Sequence, residues 1–135
     1  IRVAAGEPLS VKQEDIHLQG HAMECRINAE DPAHHFRPCP GVIEAIHLPG
    51  GNGVRIDTAA YNGYEIPPFY DSMIAKVIVH GRTRQEAIDK MRSTLGELII
   101  DGVTTNVDFQ YEILDNEDFQ AGEITTDFIP MHFNL

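Results

Sequence analysis

The feature that most constrains the fold is an apolar segment at residues 72–80 that is followed within three residues by an amphipathic helix. Residues 72–80 form the most apolar stretch of the chain, which predicts a central strand. Thr83 and Glu86 have the spacing of a capping box, in which each residue satisfies a free amide of the first helical turn. Apolar side chains then recur at helical spacing, at Ile88, Met91, Leu95 and Leu98. We therefore expect a helix over 83–98 that packs this stripe into the core.

Three further segments have the character of strands. Residues 21–29 alternate, so that Met23, Cys25 and Ile27 would face one side. Residues 42–48 and 54–58 are separated by the Pro- and Gly-rich turn at 49–53. We expect 42–48, 54–58 and 72–80 to belong to one mostly antiparallel sheet.

The ends of the chain add short helical signals. Residues 1–5 resemble the last turn of a helix, closed by Gly6 and Pro8, and 9–20 is polar enough for a connector. A short strand is expected at 99–100, and a helix over 105–114. Strands followed by helices, with connections of hairpin length, predict an α+β fold, a small mostly antiparallel sheet with helices packed on it.

Charge and composition argue against several classes of protein. A length of 135 residues suits one domain. The net charge of -11 argues against a nucleic-acid partner, which requires a cationic face. No apolar run is long enough to span a membrane or to form an export leader. The cysteines, Cys25 and Cys39, lack the spacing of a zinc or redox motif, which favours reduced thiols in a cytoplasmic protein, and no histidine pair predicts a metal site.

The last third of the chain is strongly acidic. From residue 101 onward there are eight carboxylates and no Lys or Arg. Two interpretations are open: a solvated surface, or an acidic docking face for a basic partner.

Arg55 is the residue with the clearest chemical potential. It follows the Gly-rich turn in a strand, with Val54 and Ile56 pointing to the opposite side. A fixed guanidinium there would suit a carboxylate, a phosphate or a developing oxyanion. Pairing with the nearby Asp57 is the alternative that spacing alone favours.

Four long segments together give a specific resemblance. They are GHAMECRINAEDP at 20–32, PGGNGVR at 49–55, PPFYDSMIAK at 67–76 and LIIDGVTTNV at 98–107. In this order and spacing they resemble the C-terminal domain of biotin carboxylases. The resemblance implies one such domain over 1–135, in which 1–20 is a linker and the tail of a helix from a preceding ATP-grasp domain.

The resemblance carries expectations about fold and chemistry. It implies a barrel-sandwich-hybrid-like β fold. In the family, the ATP-grasp domain binds Mg-ATP and bicarbonate and forms carboxyphosphate, and biotin on a carrier protein is carboxylated at its ureido nitrogen. Arg55 is implied to be the catalytic residue that contacts the ureido oxygen and bicarbonate, and no metal ligand is implied here. Glu24, Arg26, Asp71 and Lys76 fall in family motifs and are interpreted as scaffold.

The resemblance also predicts partners. They are the ATP-grasp domain of the same enzyme, biotin carboxyl carrier protein, carboxyltransferase subunits and a second copy in a homodimer. We expect a role in bacterial acetyl-CoA carboxylase and fatty acid biosynthesis, and no activity from this chain alone. The same domain of a pyruvate or propionyl-CoA carboxylase, or a dimerisation module without catalysis, are the alternatives.

Overall fold

The computed structural model describes residues 1–134, and Leu135, the last residue of the predicted domain, lies outside them. Within this range the chain forms seven strands, four α-helices and two single-turn 3-10 helices. The strands are β1 (His21–Asn28), β2 (Glu30–Asp31), β3 (Arg37–Pro38), β4 (Ala45–His47), β5 (Val54–Thr58), β6 (Met73–Gly81) and β7 (Ile99–Asp101). The helices are α1 (Arg84–Glu97), α2 (Val107–Asp115), α3 (Glu117–Ala121) and α4 (Phe128–His132). No helix among the described residues has the length and apolar character needed to cross a membrane.

The main sheet has three antiparallel strands in the order β1-β6-β5. Its central strand is β6, as the apolar run at 72–80 predicts. One face of the sheet is buried, with Cys25, Ile27 and Val77 each at most 5% exposed. Helix α1 covers that face with the predicted stripe, since Ile88, Met91, Leu95 and Leu98 all belong to the core. The α+β class is confirmed, and the described strands form three separate antiparallel sheets with no closed barrel.

The prediction of one sheet containing 42–48 was wrong. Only Ala45–His47 is a strand, and it pairs with β7 in a sheet of its own. The preceding residues turn toward a different neighbour: Ile43 donates its N–H to the carbonyl of Tyr64 at 2.9 Å, and Val42 bridges Glu65. Because its backbone partners change from the 64–65 turn to β7, the segment cannot join β5 and β6.

The start of α1 also differs in detail from the predicted capping box. Thr83 accepts the N–H of Glu86 at 3.2 Å, as expected of the N-cap. The Glu86 carboxylate, however, accepts the backbone N–H and the Nε–H of Arg82, both at 3.1 Å, rather than the N–H of Thr83. Arg82, which directly precedes Thr83, has two N–H donors within reach, and the Glu86 carboxylate accepts hydrogen bonds from both.

The terminal regions were predicted in part. A helical turn at 1–5 is present, with Ala5 N–H 2.9 Å from the carbonyl oxygen of Ile1. The predicted helix at 105–114 is α2, whereas α3 and α4 were not predicted. Residues 1–20 are all exposed, and their tie to the sheet is the 2.9 Å contact from the Gln19 carbonyl to Nε2 of His80.

Candidate functional site

The face of the main sheet opposite α1 is lined with charged side chains. Residues that lie directly across from each other in neighbouring strands share a face. Two such rows cross the sheet side by side: Glu24, Ile78 and Arg55 in one, and Arg26, Lys76 and Asp57 in the other. We call these six residues the charged face. It holds three cations and two carboxylates, so its net charge is +1 in a chain of net charge -11.

Arg55 lies on this face as predicted, on the side of β5 away from Val54 and Ile56. Its guanidinium is engaged by Asp57: Nη2 donates to Oδ2 at 3.1 Å, and Nε lies 3.1 Å from Oδ1. The side chain is 67% exposed. The alternative interpretation, a local ion pair, therefore describes the contacts of Arg55. Its proposed role toward biotin and bicarbonate stays a prediction.

The turn before Arg55 is fixed by the backbone. Gly53 has φ of 74° in the left-handed region, and a Cβ there would meet the carbonyl oxygen of His80 at 2.6 Å. The N–H of His80 in turn donates to the carbonyl of Gly53 at 2.8 Å. The Gly-rich segment thus forms a tight entry into β5, in which Gly53 lies close to the backbone of β6 and to Nζ of Lys90 in α1.

The other cations of the charged face differ in their partners. Lys76 Nζ lies 3.2 Å from Oε2 of Glu24, so that cation is matched by a carboxylate. Arg26 is exposed and forms no ion pair with any residue in 1–134. Of the three cations on the charged face, Arg26 is therefore the one whose guanidinium is free to receive an anion. Its place in a family motif had indicated only a scaffold role.

The side chain of Arg26 also lines a cavity of about 360 Å³ at the end of β1. Arg55 does not line this cavity. Its polar lining comes from two segments, 26–30 and 70–72: Arg26, Asn28, Glu30, Tyr70, Asp71 and Ser72. The remaining walls are apolar and rich in proline, at Ala29, Pro38, Pro40, Ile66, Pro67 and Pro68. A volume of this size, with a few directed polar groups among apolar ones, is typical of a site for a small molecule.

The polar floor of the cavity is organised around Glu30. Its carboxylate accepts hydrogen bonds from Ser72 Oγ and, at 3.3 Å, from Nδ2 of Asn28. The amide oxygen of Asn28 is buried and has no hydrogen-bond partner among the described residues. Arg26 supplies donors to the cavity, whereas the unpartnered oxygen of Asn28 lies buried beneath its floor, so the cavity is suited to a group that presents an oxygen.

The cysteine beside Arg26 takes no part in this chemistry. Cys25 points to the buried face of the sheet, and burial raises the pKa of its thiol from 9.0 to about 12, with a smaller contribution from Glu24. The thiol therefore stays protonated near neutral pH and is a poor nucleophile.

This burial gives a direct test with a thiol reagent. At pH 8 we expect Cys39, which is partly exposed, to react with Ellman's reagent much faster than Cys25 in the folded chain. The folded state also holds the Cys25 proton more tightly than the unfolded one. Its contribution to stability is therefore full below pH 9.0 and is lost as the pH rises toward about 12. In the urea-unfolded chain, which is the control, both thiols should react rapidly with the reagent. Rapid reaction of both thiols in the folded chain would contradict the burial of Cys25.

No group of three or more His, Cys, Asp or Glu side chains in residues 1–134 is arranged to hold a metal ion. His34 and Asp31, three residues apart, form a pair instead, with Nδ1 at 2.7 Å from Oδ2. This hydrogen bond from His34 lowers the pKa of Asp31. The contact stabilises the loop before β3, outside the cavity.

Comparison with known proteins identifies the family. Residues 24–131 match the model of the biotin carboxylase C-terminal domain. The chain belongs to this family. It is 54% identical over 129 residues to biotin carboxylase 1 of Bacillus subtilis, covering 96% of this chain and 29% of that protein. It is 55% identical over 129 residues to a pyruvate carboxylase subunit of Methanothermobacter thermautotrophicus, covering 96% and 26%.

A solved member of the biotin carboxylase family has the same fold. It is the biotin carboxylase domain dimer of the Hydrogenobacter thermophilus 2-oxoglutarate carboxylase, in complex with MgADP, ADP and bicarbonate. It superimposes with a TM-score of 0.95 at 46% identity and covers 97% of this chain and 29% of that one. The chain thus spans under a third of the length of the relatives that it matches.

Proposed function

We propose that this chain acts as the C-terminal domain of an ATP-dependent biotin carboxylase, the enzyme that transfers a carboxyl group from bicarbonate to biotin. The observation that carries the proposal is the guanidinium of Arg26, which has no carboxylate partner in the described chain and opens into a polar cavity. Membership in the family supplies the reaction. The cavity supplies a positively charged guanidinium, which this reaction requires.

The chemistry requires a cation at the ureido oxygen of biotin. Carboxyphosphate breaks the C–O bond to its phosphate, and the ureido nitrogen gives its proton to the released phosphate and forms the new N–C bond to the carboxyl carbon. Negative charge gathers on the ureido oxygen once the proton has left. A guanidinium fixed on a strand stabilises this charge in the transition state. We assign this role to Arg26 first.

Arg55 is the second candidate for the same contact, or for bicarbonate. A guanidinium has five N–H donors, and the pair with Asp57 leaves donors free for an anion. Because Asp57 neutralises much of its charge, Arg55 would stabilise an oxyanion less well than Arg26 unless that pair opens. The two arginines can be separated by experiment.

The remaining requirements belong to other parts of the proposed enzyme. Mg-ATP is assigned to a preceding ATP-grasp domain, since residues 1–134 offer no cluster of metal ligands. We propose a homodimer, because the biotin carboxylase domain of the Hydrogenobacter enzyme is a dimer. Biotin carboxyl carrier protein and carboxyltransferase subunits complete the proposal, in a cytoplasmic acetyl-CoA carboxylase of fatty acid biosynthesis. Pyruvate is the alternative acceptor, given the Methanothermobacter relative.

The proposal predicts a sharp difference between this chain and the intact carboxylase, meaning the full-length enzyme that carries this chain as its C-terminal domain. We expect the intact carboxylase to hydrolyse ATP in a manner that depends on both biotin and bicarbonate. The chain alone should show no rate above the protein-free background, because the Mg-ATP site that forms carboxyphosphate is assigned to the preceding ATP-grasp domain. Phosphate release is the measurement. Biotin-dependent hydrolysis by the chain alone, or a folded intact enzyme that does not respond to biotin, would overturn the proposal.

A further inference from the structure

Asn106 is a buried polar residue that binds the backbone of β1 from a distant part of the chain. Its side chain is 4% exposed. Oδ1 accepts the N–H of Asn28 at 2.9 Å, and Nδ2 donates to the carbonyl of Arg26 at 3.1 Å. The backbone N–H of Asn106 donates to the carbonyl of Asn28, also at 3.1 Å. One residue therefore makes three hydrogen bonds to the two residues that flank Ile27.

These bonds fall where the main sheet is least regular. Strand β1 is at the edge of the sheet, so only one side of it pairs with β6. The register between the two strands shifts between Ile27 and Asn28. At such a shift the ladder holds the strand less firmly. Asn106 takes the place of a neighbouring strand on the open edge and pairs the groups that β6 does not reach.

The side chain of Asn106 does not cap the helix at whose start it lies. It is the N-cap residue of α2, where asparagine normally accepts an N–H of the first turn, but it makes no such bond. Asn116, the N-cap of α3, does, accepting from Asp118 N–H at 3.0 Å and Phe119 N–H at 3.1 Å. The amide of Asn106 is committed to β1 instead of to its own helix.

The residues that Asn106 holds are those whose side chains enter the cavity. Ile27 is fully buried in the core, so the side chains of Arg26 and Asn28 leave the strand on the opposite face. We propose that Asn106 is a positioning residue for the carboxylation site, which fixes the backbone on both sides of Ile27 and so directs Arg26 at the ligand. The inference rests on the proposed function of Arg26. Since Arg26 is long, a small rotation of its backbone displaces the guanidinium, and a misplacement of about 1 Å can cost on the order of a hundredfold in rate.

The test is Asn106→Asp in the intact carboxylase. The aspartate keeps the acceptor for Asn28 N–H but turns the donor facing the Arg26 carbonyl into an oxygen. We expect kcat for biotin carboxylation to fall about tenfold, equivalent to roughly 1.4 kcal/mol in the barrier, with the KM for ATP unchanged. The matched control is Asn116→Asp, an asparagine N-cap that is not connected to β1. It should leave kcat unchanged.

A double-mutant cycle with Arg26→Ala decides whether Asn106 acts through Arg26. If it does, Asn106→Asp should change kcat by less than about twofold in the Arg26→Ala background. An equal loss in both backgrounds, or no loss in either, overturns the inference about Asn106 while the role of Arg26 stands. An Arg26→Ala enzyme with the parent's kcat overturns both. If Asn106→Asp does not fold, as judged by circular dichroism, Asn106→Ser is measured against the same criteria.

Discussion

In the intact carboxylase, Arg26→Ala should lower the rate of biotin carboxylation by about a hundred- to a thousandfold, the usual loss when one donor to a developing oxyanion is removed. The reason is that Arg26 lines the polar cavity and has no ion-pair partner within residues 1–134. Its full charge is therefore free for the ligand. Stability should change little, because Arg26 is exposed and its side chain makes no hydrogen bond to the described residues.

The matching variant Arg55→Ala separates the two candidate arginines. If Arg55 contacts the ureido oxygen or bicarbonate, as the resemblance implies, its loss should equal that of Arg26→Ala. If it serves only in the pair with Asp57, the rate should stay near that of the parent. An exposed ion pair contributes roughly 0–1 kcal/mol, so the melting temperature would fall only slightly.

The measurements are kcat and KM for biotin and ATP, together with the melting temperature of each variant. Arg26→Lys is the conservative control, because it keeps the charge but loses the planar fork of donors. We expect it to recover only part of the lost rate. Parent-like kcat in Arg26→Ala beside a large loss in Arg55→Ala would make Arg55 the oxyanion ligand and Arg26 the scaffold residue that its motif suggested.

Elements with strong local patterns were predictable from the sequence. Strand β6 was predicted from one continuous apolar run, and α1 from the helical spacing of apolar residues in one segment. Both predictions were confirmed. Strand β4 was not placed correctly because its partner, β7, lies more than 50 residues away in the chain. Local alternation predicts a strand but does not specify which strand pairs with it. The short helix α4 has Pro130 at its third position, which gave no helical signal.

In the candidate site, too, residues with a local sequence signal were predictable, whereas those that depend on distant parts of the chain were not. Arg55 stood out because a Gly-rich turn precedes it directly. Arg26 lies in an ordinary alternating strand, and the cavity that distinguishes it needs walls from 38–40 and 66–72. Asn106 binds partners 78 and 80 residues earlier in the sequence. Its only sequence signal was membership of the LIIDGVTTNV segment, which marked a family but gave no role.

The largest expected effect on stability is that of Met91→Ala, in the middle of α1. Met91 is fully buried in the core cluster between the helix and the main sheet. Truncation to alanine removes buried methylene and thioether groups and leaves a cavity, which costs about 2–5 kcal/mol of the free energy of unfolding. For a chain of this size the melting temperature should fall by roughly 10 °C.

Met91→Leu provides the matched control, because it nearly conserves volume and should cost less than about 1.5 kcal/mol. Urea unfolding of each variant gives the free energies, and an unchanged m-value would show that the folded states remain equally compact. Equal stability of the alanine and leucine variants would mean that α1 does not pack on the sheet as described. The distinction bears on function, since α1 supports one face of the strands whose other face carries Arg26 and Arg55. A helix that did not press on β1 and β6 would leave the charged face without the rigid backing that an oxyanion site requires.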